Sequence, residues 1–236
     1  MDVSQAFLYG PLPYPNPKCT IRILIVLPGT FEREIYCHLS YLNIGSYNDV
    51  DFEALSYAWG EPRFTHSIKL GKQMLDFPES ASKNGEFHDF PVTHTLYCAL
   101  KQLRFETKPR RLWIDAVCID QNNIEERNQQ VPIMGKVYSS AISVLVWLGD
   151  YTEPMFQDST KLCEKSVSAA FKYVAKLSSY GLNLAELPLL PSLHVSNLVL
   201  EVLMDIYRRP WFQRLWVLQE VILPQSCYCI LRERIR

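Results

Sequence analysis

The spacing of apolar residues divides this chain before any motif is considered. Ile21-Arg22-Ile23-Leu24-Ile25-Val26-Leu27 reads as a strand stopped by Pro28-Gly29, and Glu34 to Leu39 can pair back on it as a hairpin. Phe52 to Gly60 is a short apolar strand ending at a glycine turn. Ser67 to Leu75 suggests a small hairpin about Gly71-Lys72, and the polar region from Asp76 to Phe90 suggests a surface loop. Thr93 should cap a helix whose Leu96, Leu100 and Leu103 form one stripe. Leu112 to Ile119 is apolar except for Asp115, which suits a central strand covered on both faces. A helix carrying Met134, Val137, Tyr138 and Ala141 inward should start or bend at Pro132. Ser143 to Gly149 is a further buried strand.

Before these elements, Pro11, Pro13, Pro15 and Pro17 deny the chain a helix and imply an extended arm. After them, Lys161 to Ser178 is amphipathic, Leu187 to Pro191 is a link, and Leu198 to Tyr207 is another helix. Strands alternating with helices imply parallel pairing. The expected fold is therefore α/β: a mostly parallel sheet flanked by helices, with an N-terminal β-hairpin and a helical insertion. The expected layout is an arm and hairpin over 1–50, a domain over 51–223 with its insertion at about 151–200, and a tail over 224–236. Ligands of such sheets bind at the carboxyl ends of the strands. Here those ends are Ser56 to Gly60, Cys118 to Gln121, and Leu148 to Asp150.

The sharpest local conflict lies between Arg209 and Glu220. Pro210 suits a first helical turn, and the run Leu215, Trp216, Val217, Leu218, Val221, Ile222, Leu223 is apolar nearly all round. Such a helix should be buried on most sides, yet Glu220 sits inside it, one turn beyond Trp216. A buried carboxylate must find a partner, shift its pKa upward, or line a cavity. Ion pairing with Arg63, Arg209 or Arg214 is the bland alternative to a catalytic role.

Composition narrows the classes. The chain has 236 residues, 48% hydrophobic and 21% charged, with a net charge of −1. That is globular, with no global field pointing to nucleic acid or a membrane. The 7 cysteines include no C-x-x-C, only Cys227-Tyr228-Cys229, and the 5 histidines are scattered, so no metal site is expected. There is no signal-peptide pattern and no membrane-length apolar run, which fits a reduced, cytoplasmic compartment. G-x-x-x-x-G-K-[ST], G-x-G-x-x-G and G-x-S-x-G are all missing, which removes the commonest nucleotide-binding and hydrolase readings.

Four ordered blocks remain: Ala54 to Gly60; Leu112 to Gln121; Glu126-Arg127 through Gln129-Gln130-Val131 and on to Val146-Trp147-Leu148-Gly149; and Arg209 to Glu220. Together they resemble the heterokaryon incompatibility (HET) domain of filamentous fungi, over roughly residues 50 to 222. Pro132 and the Asp76–Phe90 insertion depart from that pattern. The resemblance implies recognition of non-self after cell fusion, with cell death as output. HET domains are similar, at a distance, to Toll/interleukin-receptor (TIR) domains, whose wider group includes enzymes that cleave NAD with the glutamate of a W-x-x-x-E helix. Trp216-Val217-Leu218-Gln219-Glu220 has that spacing.

The resemblance implies these roles. Glu220 would steady the oxocarbenium-like transition state as the nicotinamide–ribose bond breaks. Ser56, Tyr57, Trp59, Gly60, Asp115, Asp120, Gln121 and Trp216 would surround the substrate. Five of these have an ordinary alternative: Trp59 as a core ring, Asp115 as an acceptor of backbone N–H groups, Asp120 and Gln121 as loop caps, and Gly60 as a turn. Cys118 has no histidine near it in sequence, which argues against a nucleophile. No cofactor is required, since NAD would be a substrate. The competing functions are a self-associating or partner-binding signalling module without chemistry, and an inactive, truncated relative. The truncated reading arises because the chain stops about one helical turn and a short strand beyond Glu220.

Overall fold

The computed structural model describes residues 9–12, 19–45, 51–74, 86–150, 164–179, 197–215 and 217–232. Eight strands form one sheet: β1 (Thr20–Val26), β2 (Tyr36–Asn43), β3 (Glu53–Tyr57), β4 (His66–Met74), β5 (Phe87–Val92), β6 (Arg110–Trp113), β7 (Ser143–Asp150) and β8 (Cys227–Arg232). Their spatial order is β5-β4-β2-β1-β6-β3-β7-β8. The described helices are α1 (His94–Leu103), α2 (Asp115–Cys118), α3 (Ile124–Gln130), α4 (Met134–Ser140), α5 (Glu164–Ser179), α6 (Asn197–Tyr207) and α7 (Val217–Ile222). The Leu187–Pro191 link lies outside the described residues.

The sheet is mixed, which corrects the expectation of a mostly parallel one. β3 does pair in parallel with β6 and with β7, as the alternation of strands and helices implies. The hairpin changes the rest. β1 pairs antiparallel with β2 on one side and with β6 on the other, so the hairpin extends the sheet. β4 then joins β2 in parallel and β5 closes that edge antiparallel. β1 is buried along its whole length, which is why its sequence is apolar almost throughout.

Three element readings also change. Residues 66–74 form one strand, with no turn at Gly71-Lys72. A Cβ at Gly71 would come within 2.5 Å of His38 Nδ1, so glycine serves here a close approach of neighbouring strands. The expected loop to Phe90 contains strand β5 from Phe87 onward, with Pro91 tolerated because β5 is an edge. The strand expected to run to Ile119 stops at Trp113, and Asp115–Cys118 is a single helical turn. An apolar run this short does not distinguish strand from buried helix.

Other signals match their positions. Thr93 Oγ1 accepts the Leu96 N–H at 3.4 Å, and Leu96, Ala99, Leu100 and Leu103 are buried on α1. Each buried leucine there contributes about 1.5–3 kcal/mol of apolar burial. Pro132 sits in a 3-10 turn, Val131–Ile133, that joins α3 to α4.

The chain divides into two compact units, Met1–Trp147 with Leu215–Ile230, and Leu148–Arg214 with Leu231–Arg236. The first holds most of the sheet. In the second, α5 packs against α6, and Val167, Ala170, Val202, Ile206 and Trp211 are buried. There Arg209 pairs with Asp205 at 3.1 Å, one turn earlier, and donates to the Leu148 carbonyl at 2.8 Å. Gly149 holds φ +95°, a left-handed conformation that favours glycine.

Candidate functional site

Two places in the first unit concern the residues singled out by the sequence. The first is the contact between β3 and α7. Ser56 is fully buried on β3, and its hydroxyl donates to a carboxylate oxygen of Glu220. Glu220 is 0% exposed. It is the buried residue of α7, while Leu218 is 63% and Ile222 71% exposed. This inverts the expectation of a helix buried on most sides. The physical reason is a break in the chain. Pro210–Gln213 is only a 3-10 turn, and Arg214 leaves it in an extended conformation. The helical register restarts at Val217, so the apolar run no longer wraps one continuous helix. Trp216 lies outside the described residues. Of the arginines weighed as partners, Arg63 pairs with Glu61 at 3.0 Å and Arg209 with Asp205.

The second place is a hollow of about 170 Å³ beyond the carboxyl end of β3. Its wall includes Tyr57, Trp59, Phe64, Phe90, Leu96 and Gln121, with Pro91, Val92, Thr93, Ala116, Val117 and Asn122 completing it. Successive side chains leave a strand on opposite faces. Ser56, and Glu220 with it, therefore lies on the face of β3 opposite Tyr57 and the hollow. Glu220 does not line the hollow.

Of the other predicted residues, Tyr57, Trp59 and Gln121 line this hollow, and Gly60, Asp115 and Asp120 each adjoin a lining residue in the chain. Trp59 donates its indole N–H to Asp115 Oδ2 at 3.0 Å. Asp115 Oδ1 also accepts the Ala116 N–H at 2.7 Å. Gln121 Nε2 donates to the Asp115 carbonyl at 2.9 Å. Asp120 Oδ1 accepts the Asn122 N–H at 3.0 Å, a turn-forming contact. Gly60 holds φ +72° at the turn after β3, where an added Cβ would stand 2.9 Å from Thr95 Oγ1. Cys118 is buried, and burial pushes its thiol up to about 12, so it stays protonated and is no nucleophile.

Sequence reasoning overlooked the support behind the loop. Arg22 projects from the middle of β1 and meets Glu126 through both guanidinium N–H groups, one at 2.9 Å. The same guanidinium donates to the carbonyls of Cys118 at 3.3 Å and Gly10 at 2.7 Å. Glu126 Oε1 in turn accepts the Asp120 N–H at 2.8 Å. Tyr9, stacked under Arg22, donates its hydroxyl to the Val117 carbonyl at 2.8 Å. Burial pushes the Tyr9 hydroxyl well above its usual range. The missed signal was a lone arginine in an otherwise apolar strand. Phe64, Phe90 and Leu96 had no local signal, because aromatic and apolar residues rarely announce a cavity in sequence.

Among the described residues no group of three or more metal-type ligands gathers, and no helix is long and apolar enough to cross a membrane. The cysteines described are free thiols.

These features define a mixed α/β domain whose sheet edge carries an aromatic hollow and whose C-terminal helix is tied to the sheet by a buried acid. The chain belongs to the heterokaryon incompatibility (HET) family: the family model "Heterokaryon incompatibility protein (HET)" matches residues 52–220. It is also similar to "Heterokaryon incompatibility protein 6, OR allele" of Neurospora crassa, at 27% identity over 248 residues. That similarity covers 94% of this chain but only 35% of the relative, so the chain spans about a third of the relative's length. No solved structure matches.

Proposed function

We infer that this chain serves fungal non-self recognition and acts there by association with protein partners or with copies of itself. The family supports the biological setting. The observation that favours association over chemistry is the orientation of α7. Its acid is turned inward onto Ser56, while Leu218 and Ile222 face solvent. Exposed apolar side chains grouped on one helix favour burial against another protein. The test is expression in a fungal host with cell death after fusion as readout. Glu220→Gln should keep the response, and the Leu218→Asp, Ile222→Asp double variant should abolish it. The opposite pattern would overturn the reading.

A second reading has its own support. Trp216 to Glu220 has the W-x-x-x-E spacing of the NAD-cleaving TIR-like group; Glu220 is fully buried and does not line the hollow, so this spacing alone supports the reading. On this reading Glu220 steadies the ribosyl cation as nicotinamide leaves. It requires nicotinamide release from NAD by the purified, concentrated protein, lost in Glu220→Ala while the fold survives.

A further inference from the structure

The hollow beside β3 contains more chemistry than a packing defect. Four aromatic residues, Tyr57, Trp59, Phe64 and Phe90, share its wall. Trp59 is 41% and Phe64 63% exposed, so the wall continues outward as an aromatic mouth. A carboxylate stands beside the wall: Asp115 is not itself a lining residue, but it is hydrogen-bonded to the Trp59 indole and precedes Ala116. The N–H groups of Trp59 and Ala116 fix that carboxylate in place, so the negative charge has a defined position. The size is also informative. A hollow of about 170 Å³ is close to the roughly 150 Å³ that suffices for benzene. Aromatic faces carry negative potential and attract cations, most strongly where the cation is poorly hydrated. A neighbouring carboxylate adds to that field. Neutral apolar ligands would gain from the walls but nothing from Asp115.

We propose that this hollow is a binding site for a compact organic cation about the size of one ring, such as an alkylated ammonium or a pyridinium group. The cation enters past Trp59 and Phe64 and sits with its charge toward Asp115. A free small molecule and the cationic end of a larger ligand present the same group. The site needs no contribution from Glu220, which meets the other face of β3, so it stands whichever reading of Glu220 holds.

The experiment uses the full chain, with the indole N–H resonance of Trp59 as reporter. The probes are choline, its neutral carbon analogue 3,3-dimethylbutan-1-ol, and N-methylpyridinium. Both cations should shift the Trp59 signal and bind roughly tenfold or more tightly than the neutral analogue. Asp115→Asn should bring choline to within roughly threefold of the analogue. Phe64→Ala, a change at an exposed side chain that leaves the fold intact, should weaken both cations several-fold. Equal binding of choline and its analogue to the wild type would overturn the proposal. So would a Trp59 signal that no cation moves, or cation binding indifferent to Phe64→Ala.

Discussion

Ser56 and Glu220 stand 164 positions apart in sequence and meet through one buried hydrogen bond, hydroxyl to carboxylate. The bond ties α7 to β3, the strand that pairs with both β6 and β7. It gives a buried acid a donor and leaves the apolar residues of the helix facing out. An acid inside with Leu218 and Ile222 outside is the reverse of ordinary helix patterning. The arrangement holds because the polar partner lies in the sheet.

Removing that donor should destabilise the domain. Ser56→Ala leaves a carboxylate oxygen without its hydroxyl partner in a site closed to water, at a cost of about 1–3 kcal/mol. In a chain of this size each kcal/mol lowers Tm by about 2–4 °C. Thermal unfolding followed by circular dichroism should show a loss of several degrees. A midpoint equal to that of the wild type would mean the contact contributes nothing.

Arg22 and Glu126 should cost more to separate. Both are buried, and each satisfies further backbone groups: Arg22 those of Cys118 and Gly10, Glu126 that of Asp120. Glu126→Ala strands a buried guanidinium, and breaking one side of such a pair costs about 3–5 kcal/mol. Replacing both at once, Arg22→Met with Glu126→Leu, should recover much of the loss, since no charge is then left uncompensated. Urea midpoints for the two variants decide this. A double variant no more stable than Glu126→Ala would show that the pair acts only through its contacts with the arm and loop.

Most strands were legible in the sequence because period-2 or continuously apolar segments ended at prolines and glycines, as at Ile21–Leu27 and Ser143–Gly149. The cap at Thr93 and the bend at Pro132 were legible because each depends on local chemistry. What could not be read was pairing. Nothing in β1 says that it borders β6 as well as β2, so the mixed sheet was hidden. Gly71 looked like a turn because its reason is His38, on another strand. Asp115 looked like an interruption of a strand because the single turn of α2 is too short to show helical period. The candidate residues around Trp59 and Gln121 were visible as strand-end residues. The aromatic walls contributed by Phe64, Phe90 and Leu96 were not, since they come together only in the fold.

The outward face of α7 gives a prediction about association. Leu218→Asp and Ile222→Asp change side chains that are mostly exposed, so folding stability should move by less than about 0.5 kcal/mol. If the face is a contact surface, light scattering of the wild type should show a mass that rises with concentration, and the double variant should stay monomeric over the same range. A monomeric wild type would remove self-association and leave a partner protein as the occupant of that face.

The thiols of β8 supply the last prediction. Cys227 and Cys229 are two residues apart on one strand, so they share a face. A hydrogen bond from the Cys227 thiol pulls the Cys229 thiol down to about 7, while the same bond and burial push Cys227 up. Cys229 is exposed. Its thiolate is the reactive form and accumulates as pH rises through about 7. Iodoacetamide should therefore modify Cys229 first, with a rate that falls steeply below neutrality. Buried Cys37 and Cys118 should stay unmodified in the folded chain. Cys227→Ala removes the donor and returns Cys229 toward the ordinary value of about 8.5. Less thiolate then forms at pH 7, partly offset by its greater intrinsic nucleophilicity, so the rate there should fall by roughly threefold to tenfold. Mass spectrometry of the alkylated protein across about pH 5 to 9 measures both effects. An unchanged profile in Cys227→Ala would show that the neighbouring thiol does not set the reactivity of Cys229.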